Sequence, residues 1–263
     1  MFIKDDLNRN IFIPNIPQKI ISLCPSITET LCDIGLSAHI IGITDYCIHP
    51  SKITKKITKT GGPVTVSVEK IIQLNPDIIF ASKQENDKST IDLLSKRFNC
   101  FVFDIKTFHD ALNMIKTFGK IFNKETGTNI LVNSIIGNFS KIPILNKKLK
   151  YLYLVWKNPY MAAGKRTYID SLLSKLSFYN CLKEEKYIKI DSNFKPLSCD
   201  IIFLPSEPFK FTEKDKEKLQ NYFPDKKILL VDGEMFCWYG SHILKSTQYF
   251  KKMITDINKT LIQ

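Results

Sequence analysis

The stretch from Lys19 to Gly35, KIISLCPSITETLCDIG, constrains the fold of this chain most. Ile20, Ile21 and Leu23 form a short apolar run bounded by turn signals, which predicts a buried strand. Pro25 ends that strand, because it has no N–H to give a ladder. Ser26 is placed to cap a helix, and Glu29, three residues on, completes a capping-box pattern. Ile27, Leu31 and Ile34 share one helical face, and Gly35 stops it. The free N–H groups of such a helix point past the end of the strand, where ligands sit in an α/β sheet. By itself the pattern equally describes an ordinary strand-turn-helix.

At 263 residues, with 44% apolar residues, the chain can bury one large or two medium cores. No run of eighteen apolar residues occurs, so no helical membrane span is expected. The first residues, MFIKDDLNRN, lack an apolar stretch after a basic start. A cytoplasmic location follows, or a periplasmic one if a signal has been removed. The seven cysteines are odd in number and lack CxxC spacing, which suits a reducing compartment and argues against a disulfide framework or zinc site. The four histidines are dispersed, and no metal cluster is visible; His49 and His242 alone fall near predicted loops, where either could ligate a metal, and a solvated surface residue is the favoured reading of both. The charge of +12 is spread along the chain, which points to compositional bias and away from a nucleic-acid face.

The order of elements predicts an α/β fold. Residues 1–18 read as an edge ribbon. Strands follow at HIIGI (39–43), DIIFA (77–81) and CFVF (100–103), with helices at Val68–Leu74 and 87–98 between them. From Thr107 to Phe139 the spacing is helical almost throughout, which predicts one long helix, although Gly119, Gly127 and Gly137 interrupt it. A second α/β set follows: strands at 151–155, 200–204 and 227–231, helices at 168–176 and 213–222, and a last helix capped by Ser241 and running to about Leu261. NPDIIFAS (75–82) and SCDIIFLPS (198–206) are the same element in two halves. The expected organisation is an N-terminal lobe over 1–106, a bridging helix over 107–141 and a C-terminal lobe over 142–263. Each lobe carries a mostly parallel sheet, and their strand ends face one cleft.

The strand-end loops offer Ser26, Tyr46, Gly62 and Lys83 in the first lobe, and Trp156, Tyr160, Glu207, Phe236, Trp238 and Tyr239 in the second. Both tryptophans of the chain are among them, which suggests a ligand with a large flat surface held by stacking. Packing beneath the final helix is the competing reading for Trp238 and Tyr239, and core placement for Phe236 and Tyr160. No GxSxG, P-loop or HExxH motif is present. Cys24 is a candidate nucleophile only if the adjoining helix lowers its pKa; a cysteine before proline at a strand end is otherwise structural. Glu29 and Glu207 are a candidate acid/base pair. Glu69, in the first turn of a short helix, is either dipole compensation or a surface docking point.

IISLCPSITETLCDIG, IGITDYCIHP, the Gly61–Gly62 pair followed by VEKIIQLNPDIIFAS, and the terminal WYGS segment together resemble the class III periplasmic-type substrate-binding proteins. These are the vitamin B12- and iron-siderophore-binding components of ABC importers, built on a helical backbone, and the similarity is nearest the cobalamin-binding branch. It covers essentially the whole chain. The resemblance implies two Rossmann-like lobes bridged by one long rigid helix, with a corrinoid or iron chelate bound between them as cargo. It implies no intrinsic cofactor, no catalysis and a monomer. It also implies docking onto the membrane subunits of the transporter through a glutamate on each lobe. Glu69 stands at the first matching position; the second region spans Phe178 to Glu185, where Tyr179 aligns and Glu184 and Glu185 lie beside it. A non-exported relative that uses the same cleft as a cytoplasmic enzyme or cofactor-handling protein is the alternative.

Overall fold

The computed structural model describes residues 1–190 and 198–260, and the chain forms two compact units. The first takes Met1–Ile105, His109–Gly137 and Tyr239–Ile243; the second takes the remaining described residues.

In the first unit, β1 (Phe2–Lys4) and β2 (Asn10–Phe12) form an antiparallel hairpin. Then come β3 (Ile20–Ser22), α1 (Pro25–Asp33), β4 (Ile40–Ile43), α2 (Ser51–Thr54), β5 (Thr58–Lys59), α3 (Val68–Leu74), β6 (Ile78–Ser82), α4 (Lys88–Ser95) and β7 (Cys100–Phe103). These strands make one parallel sheet in the order β5-β4-β3-β6-β7. Strand β6 is buried along its whole length, so its alternating side chains feed two cores. Ile79 and Ala81 join Ile21, Leu23, Ile71, Ile91 and Leu94 on one face. Phe80 joins Phe101, Phe103, Phe118 and Phe122 on the other, with Phe80 and Phe118 edge to face at 5.0 Å. Burying each of these phenylalanines contributes roughly 1.5–3 kcal/mol.

The helical stretch read as one helix is two: α5 (Phe108–Phe122) and α6 (Glu125–Phe139). The break falls at Asn123, whose φ of 52° is left-handed and outside any right-handed helix. Gly119 permits the corner: a Cβ there would strike the Thr128 side chain and come within 3.2 Å of Glu125 Cα. The capping box at the first helix is also absent. Cys24 occupies the N-cap of α1 without a side-chain bond, Pro25 takes the first helical position, and Glu29 is buried.

The second unit contains β8 (Leu149–Trp156), β9 (Met161–Ala163), α7 (Tyr168–Lys175), β10 (Phe178–Asn180), β11 (Tyr187–Lys189), β12 (Ile201–Pro205), α8 (Glu213–Tyr222), β13 (Lys227–Val231), α9 (Glu234–Cys237) and α10 (Ile243–Thr260). Its sheet is mixed. Strands β10, β8, β12 and β13 run parallel; β9 pairs antiparallel with β8, and β11 antiparallel with β9. The three short strands β9, β10 and β11 have too little apolar alternation to be read from sequence. Strand β12 repeats the division seen in β6: Ile202 and Leu204 pack in an aliphatic cluster with Leu152, Leu154 and Leu219, while Phe203 packs with Tyr151, Tyr153, Phe178 and Phe236. Ser241 lies in a 3-10 turn (Gly240–His242) ahead of α10 and does not cap it; Leu261 lies outside the described residues.

Gly119→Ala is expected to destabilise the protein by about 1–3 kcal/mol, the usual range for overpacking a closed contact. Urea unfolding followed by circular dichroism checks this. A midpoint equal to that of the parent would mean that the α5–α6 corner is looser than described.

Candidate functional site

In the first unit, the loops at the carboxyl ends of β3, β4, β5 and β6 gather most of the polar chemistry. Cys24 follows β3, and its Sγ lies 2.9 Å from Glu85 Oε1 and 3.1 Å from the Tyr239 hydroxyl. That hydroxyl also donates to Glu85 Oε1 at 3.3 Å. The neighbouring Asn86 Nδ2 donates to the carbonyls of Leu23 (2.9 Å) and Pro63 (3.0 Å), which ties the loop after β6 to those after β3 and β5. Burial, and then the Glu85 charge, hold the Cys24 thiol well above the ordinary thiol range. It is a buried thiol hydrogen-bonded to Glu85 and Tyr239. Burial likewise raises the Glu85 carboxyl above its ordinary value.

The segment Tyr239–Ile243 lies along α1. The Tyr239 N–H donates to Ser26 Oγ at 3.1 Å, and the Ser241 N–H donates to Thr30 Oγ1 at 3.1 Å. Glu29 Oε2 meets His242 Nδ1 at 2.7 Å, and both side chains are almost wholly buried. Gly240 has a φ of 73° and sits so close to Thr30 and Met114 that a side chain there would clash. Three expectations change here. His242 is an interior residue and not a solvated one. Ser26 is an internal hydrogen-bond acceptor. Glu29 is paired with His242 in the interior.

Tyr46 follows β4 and is 64% exposed. It stands next to Gly62, where a Cβ would lie 3.7 Å from the tyrosine ring. Lys83, after β6, is exposed and pairs with Asp104 at 2.8 Å. Glu69 is exposed in the first turn of α3, which Ser67 caps.

In the second unit, Trp156 ends β8, is 44% exposed, and meets Phe209 edge to face at 5.4 Å. Lys157 beside it is ion-paired to Asp215. Tyr160 is half-buried against the aliphatic core. Glu207, after β12, accepts from Trp238 Nε1 at 3.2 Å, and the backbone of Gly233 packs so tightly on Glu207 that no Cβ fits. Phe236 is fully buried among Tyr153, Phe203 and Phe250. Trp238 is buried in the second unit and Tyr239 in the first. Tyr179 is exposed on β10 beneath the Lys148 ammonium, and Glu185 pairs with Arg166 at 3.1 Å.

The strand-end residues thus fall into two sets. Ser26, Phe236, Trp238 and Tyr239 build the interior, while Tyr46, Gly62, Lys83, Trp156, Tyr160 and Glu207 reach or approach the surface. Sequence reasoning missed Glu85 and Asn86. The polar run KQEND directly after the buried strand DIIFAS was the available signal. Among the described residues, no group of three or more His, Cys, Asp or Glu side chains is placed to hold a metal ion, and no helix is long and apolar enough to cross a membrane.

Comparison with known proteins adds a family. The periplasmic binding protein family profile matches residues 20–208. An uncharacterized ABC transporter substrate-binding lipoprotein of Bacillus subtilis (strain 168) is 26% identical over 195 residues, covering 70% of this chain and 61% of that protein. A vitamin B12-binding protein of Pectobacterium atrosepticum is 28% identical over 109 residues, covering 40% of this chain and 39% of that protein. The chain therefore spans about three-fifths and two-fifths of the lengths of these relatives. Among solved structures, a periplasmic heme-binding protein from Roseiflexus sp. RS-1 in its apo form shares the fold, with a TM-score of 0.76 at 14% identity over 91% of this chain and 98% of that one. These names, a lipoprotein and a periplasmic protein among them, do not support the cytoplasmic placement expected above.

The raised Glu85 carboxyl has a definite sign. The folded state holds that proton more tightly than the unfolded one, so the stability it contributes is full below the ordinary carboxyl value of about 4.5 and is lost as pH rises through the folded value. Glu85→Gln keeps an acceptor for Cys24 and Tyr239 but cannot ionise. Its stability relative to the parent is expected to improve between pH 5 and pH 8 in urea unfolding. A difference that does not change with pH would show that Glu85 ionises as it does in water.

Proposed function

We propose a solute-binding role from one premise: the chain belongs to the periplasmic binding protein family. In this reading the protein binds a flat, metal-bearing macrocycle, a corrinoid or a related iron chelate, and delivers it to the membrane subunits of an ABC importer. It works as a monomer outside the inner membrane, with no catalysis and no cofactor of its own; the chelate is cargo. Vitamin B12 for one relative and heme for one structural neighbour are ligands of that shape.

The observation that carries the reading is the exposed indole of Trp156 at the carboxyl end of β8 in the second unit; in the first unit the ring of Tyr46, after β4, is exposed as well. Large aromatic faces left in water at strand ends cost solvation unless a ligand covers them, and a planar macrocycle is the partner that gains most by stacking there. Gly62, Lys83, Tyr160 and Glu207 supply the remaining polar and apolar contacts in the proposal. Exposed Glu69 is the proposed docking point for a cationic surface of the membrane subunits. The enzymatic alternative loses its nucleophile, since Cys24 is held as a buried thiol.

Tryptophan fluorescence tests the reading directly, because the chain has two tryptophans and only Trp156 is well exposed. Titration with cyanocobalamin, dicyanocobinamide, hemin and a ferric siderophore is expected to give saturable quenching by at least one macrocycle at micromolar concentration or below. Trp156→Ala should weaken that ligand about 5- to 30-fold, the equivalent of ~1–2 kcal/mol of stacking, while Trp156→Phe retains most of the affinity. Folded protein that gives no saturable signal with any of the four by calorimetry would sink the proposal.

A further inference from the structure

Phe209 is not among the strand-end residues that the sequence offered, because it lies beyond the loop Ser206-Glu207-Pro208 that follows β12. The fold places it against Trp156. Their ring centroids are 5.4 Å apart and their planes meet at 67°, an edge-to-face contact. Phe209 meets Phe211 in similar geometry at 4.9 Å. Phe211 is buried in the aliphatic cluster of the second unit, and half-buried Phe209 packs against that cluster. Three rings thus lead from the core to the surface, and Trp156 is the exposed end of the row.

The backbones that carry this pair are held on both sides. Trp156 closes β8 and pairs in register with Met161 of β9. The loop that carries Phe209 is pinned at its start, where the Ser206 N–H donates to the Val231 carbonyl at 3.0 Å and Ser206 Oγ accepts from the Gly233 N–H at 2.9 Å. It is pinned again at its end, where the Phe211 N–H donates to the carbonyls of Pro205 and Phe209, each at 3.1 Å. All of these groups belong to the second unit. An exposed tryptophan on a fixed backbone still turns among its rotamers. A ring seated against the indole removes that freedom, and Phe209 is itself held by Phe211 behind it.

We propose that Phe209 is a positioning residue for Trp156: it holds the exposed indole in the orientation on which a planar ligand stacks. The inference rests on the solute-binding reading for the ligand and on the ring geometry alone for the indole. An indole already ordered in the free protein loses no rotamer freedom when the ligand arrives. Without Phe209 that ordering falls to the ligand. The loss is about 2- to 12-fold in affinity, the equivalent of ~0.5–1.5 kcal/mol for one immobilised side chain.

The test compares the full-length parent with Phe209→Ala and Phe209→Val, both too short to reach the indole, and with Phe209→Tyr, which keeps the ring. Time-resolved tryptophan anisotropy is recorded first on ligand-free protein. Trp238 is buried and bonded to Glu207, so fast depolarisation reports Trp156. The amplitude of that fast motion is expected to rise at least twofold in Phe209→Ala and Phe209→Val and to keep the parent value in Phe209→Tyr. Calorimetric titration with cyanocobalamin, dicyanocobinamide, hemin and a ferric siderophore follows. The two short variants should bind the parent's macrocycle about 2- to 12-fold more weakly, and Phe209→Tyr within twofold of the parent. Short variants with a lowered melting temperature but parental anisotropy and affinity would show that Phe209 only fills space, and would overturn the proposal. Anisotropy that changes while affinity does not would overturn it as well. A parent that binds none of the four compounds ends the solute-binding reading, and the ligand-free anisotropy then decides by itself whether Phe209 holds the indole.

Discussion

The fold rests on two central strands that are buried on both faces. Ile78–Ser82 in the first unit and Ile201–Pro205 in the second expose nothing along their length. Backbone groups in such a strand have no access to water, so every N–H and C=O must pair with a neighbouring strand. That requirement assembles a parallel sheet around each one. Side chains alternate, so each strand feeds isoleucine to one face and phenylalanine to the other, and helices must then cover both faces. The first residue of the motif does related work. Asp77 accepts from the N–H groups of Gln18 and Lys19 at the start of β3, and Asp200 accepts from Lys150 at the start of β8. The repeated segment DIIF thus carries a central strand, two cores and the anchoring of its neighbour.

That dependence explains which parts were legible in the sequence. The long apolar strands and the helices Val68–Leu74 and Glu213–Tyr222 stand where periodicity placed them, since each has one strong local pattern. The short strands β9, β10 and β11 were not legible. They exist because β8 is long enough to take β10 and then β9 along the edge opposite β12, with β11 added beside β9, and no property of their own three residues demands it. The long helix failed for a related reason. Apolar spacing continues across Asn123, but Gly119 lets Thr128 and Glu125 approach closely enough to favour a corner over a continuous rod.

The site was legible in position and less so in role. Reading strand ends located the right loops, yet periodicity cannot say whether a loop aromatic faces water or packs beneath a helix. Trp238 and Tyr239 turned inward because each has a hydroxyl or N–H partner that lets a polar tip be buried. Glu29 reads as a capping residue only while its partner is unknown. His242 stands 213 residues away, and only the fold brings them to 2.7 Å. The pairs Cys24–Tyr239 and Ser26–Tyr239 are equally remote in sequence, as long-range polar contacts generally are.

The strand-end groups are also divided between interior and surface. A catalytic group at a strand end must be both reachable and ionisable near neutral pH. Here the groups with the most perturbed chemistry, Cys24 and Tyr239, are buried, hydrogen-bonded to one another and pushed toward their neutral forms. Their energetic role is to satisfy one another and hold three loops in register, which a buried polar network does well only when each member has its partner. What remains at the surface of the strand ends is aromatic area, in Tyr46 in the first unit and Trp156 in the second, and polar groups such as Lys83.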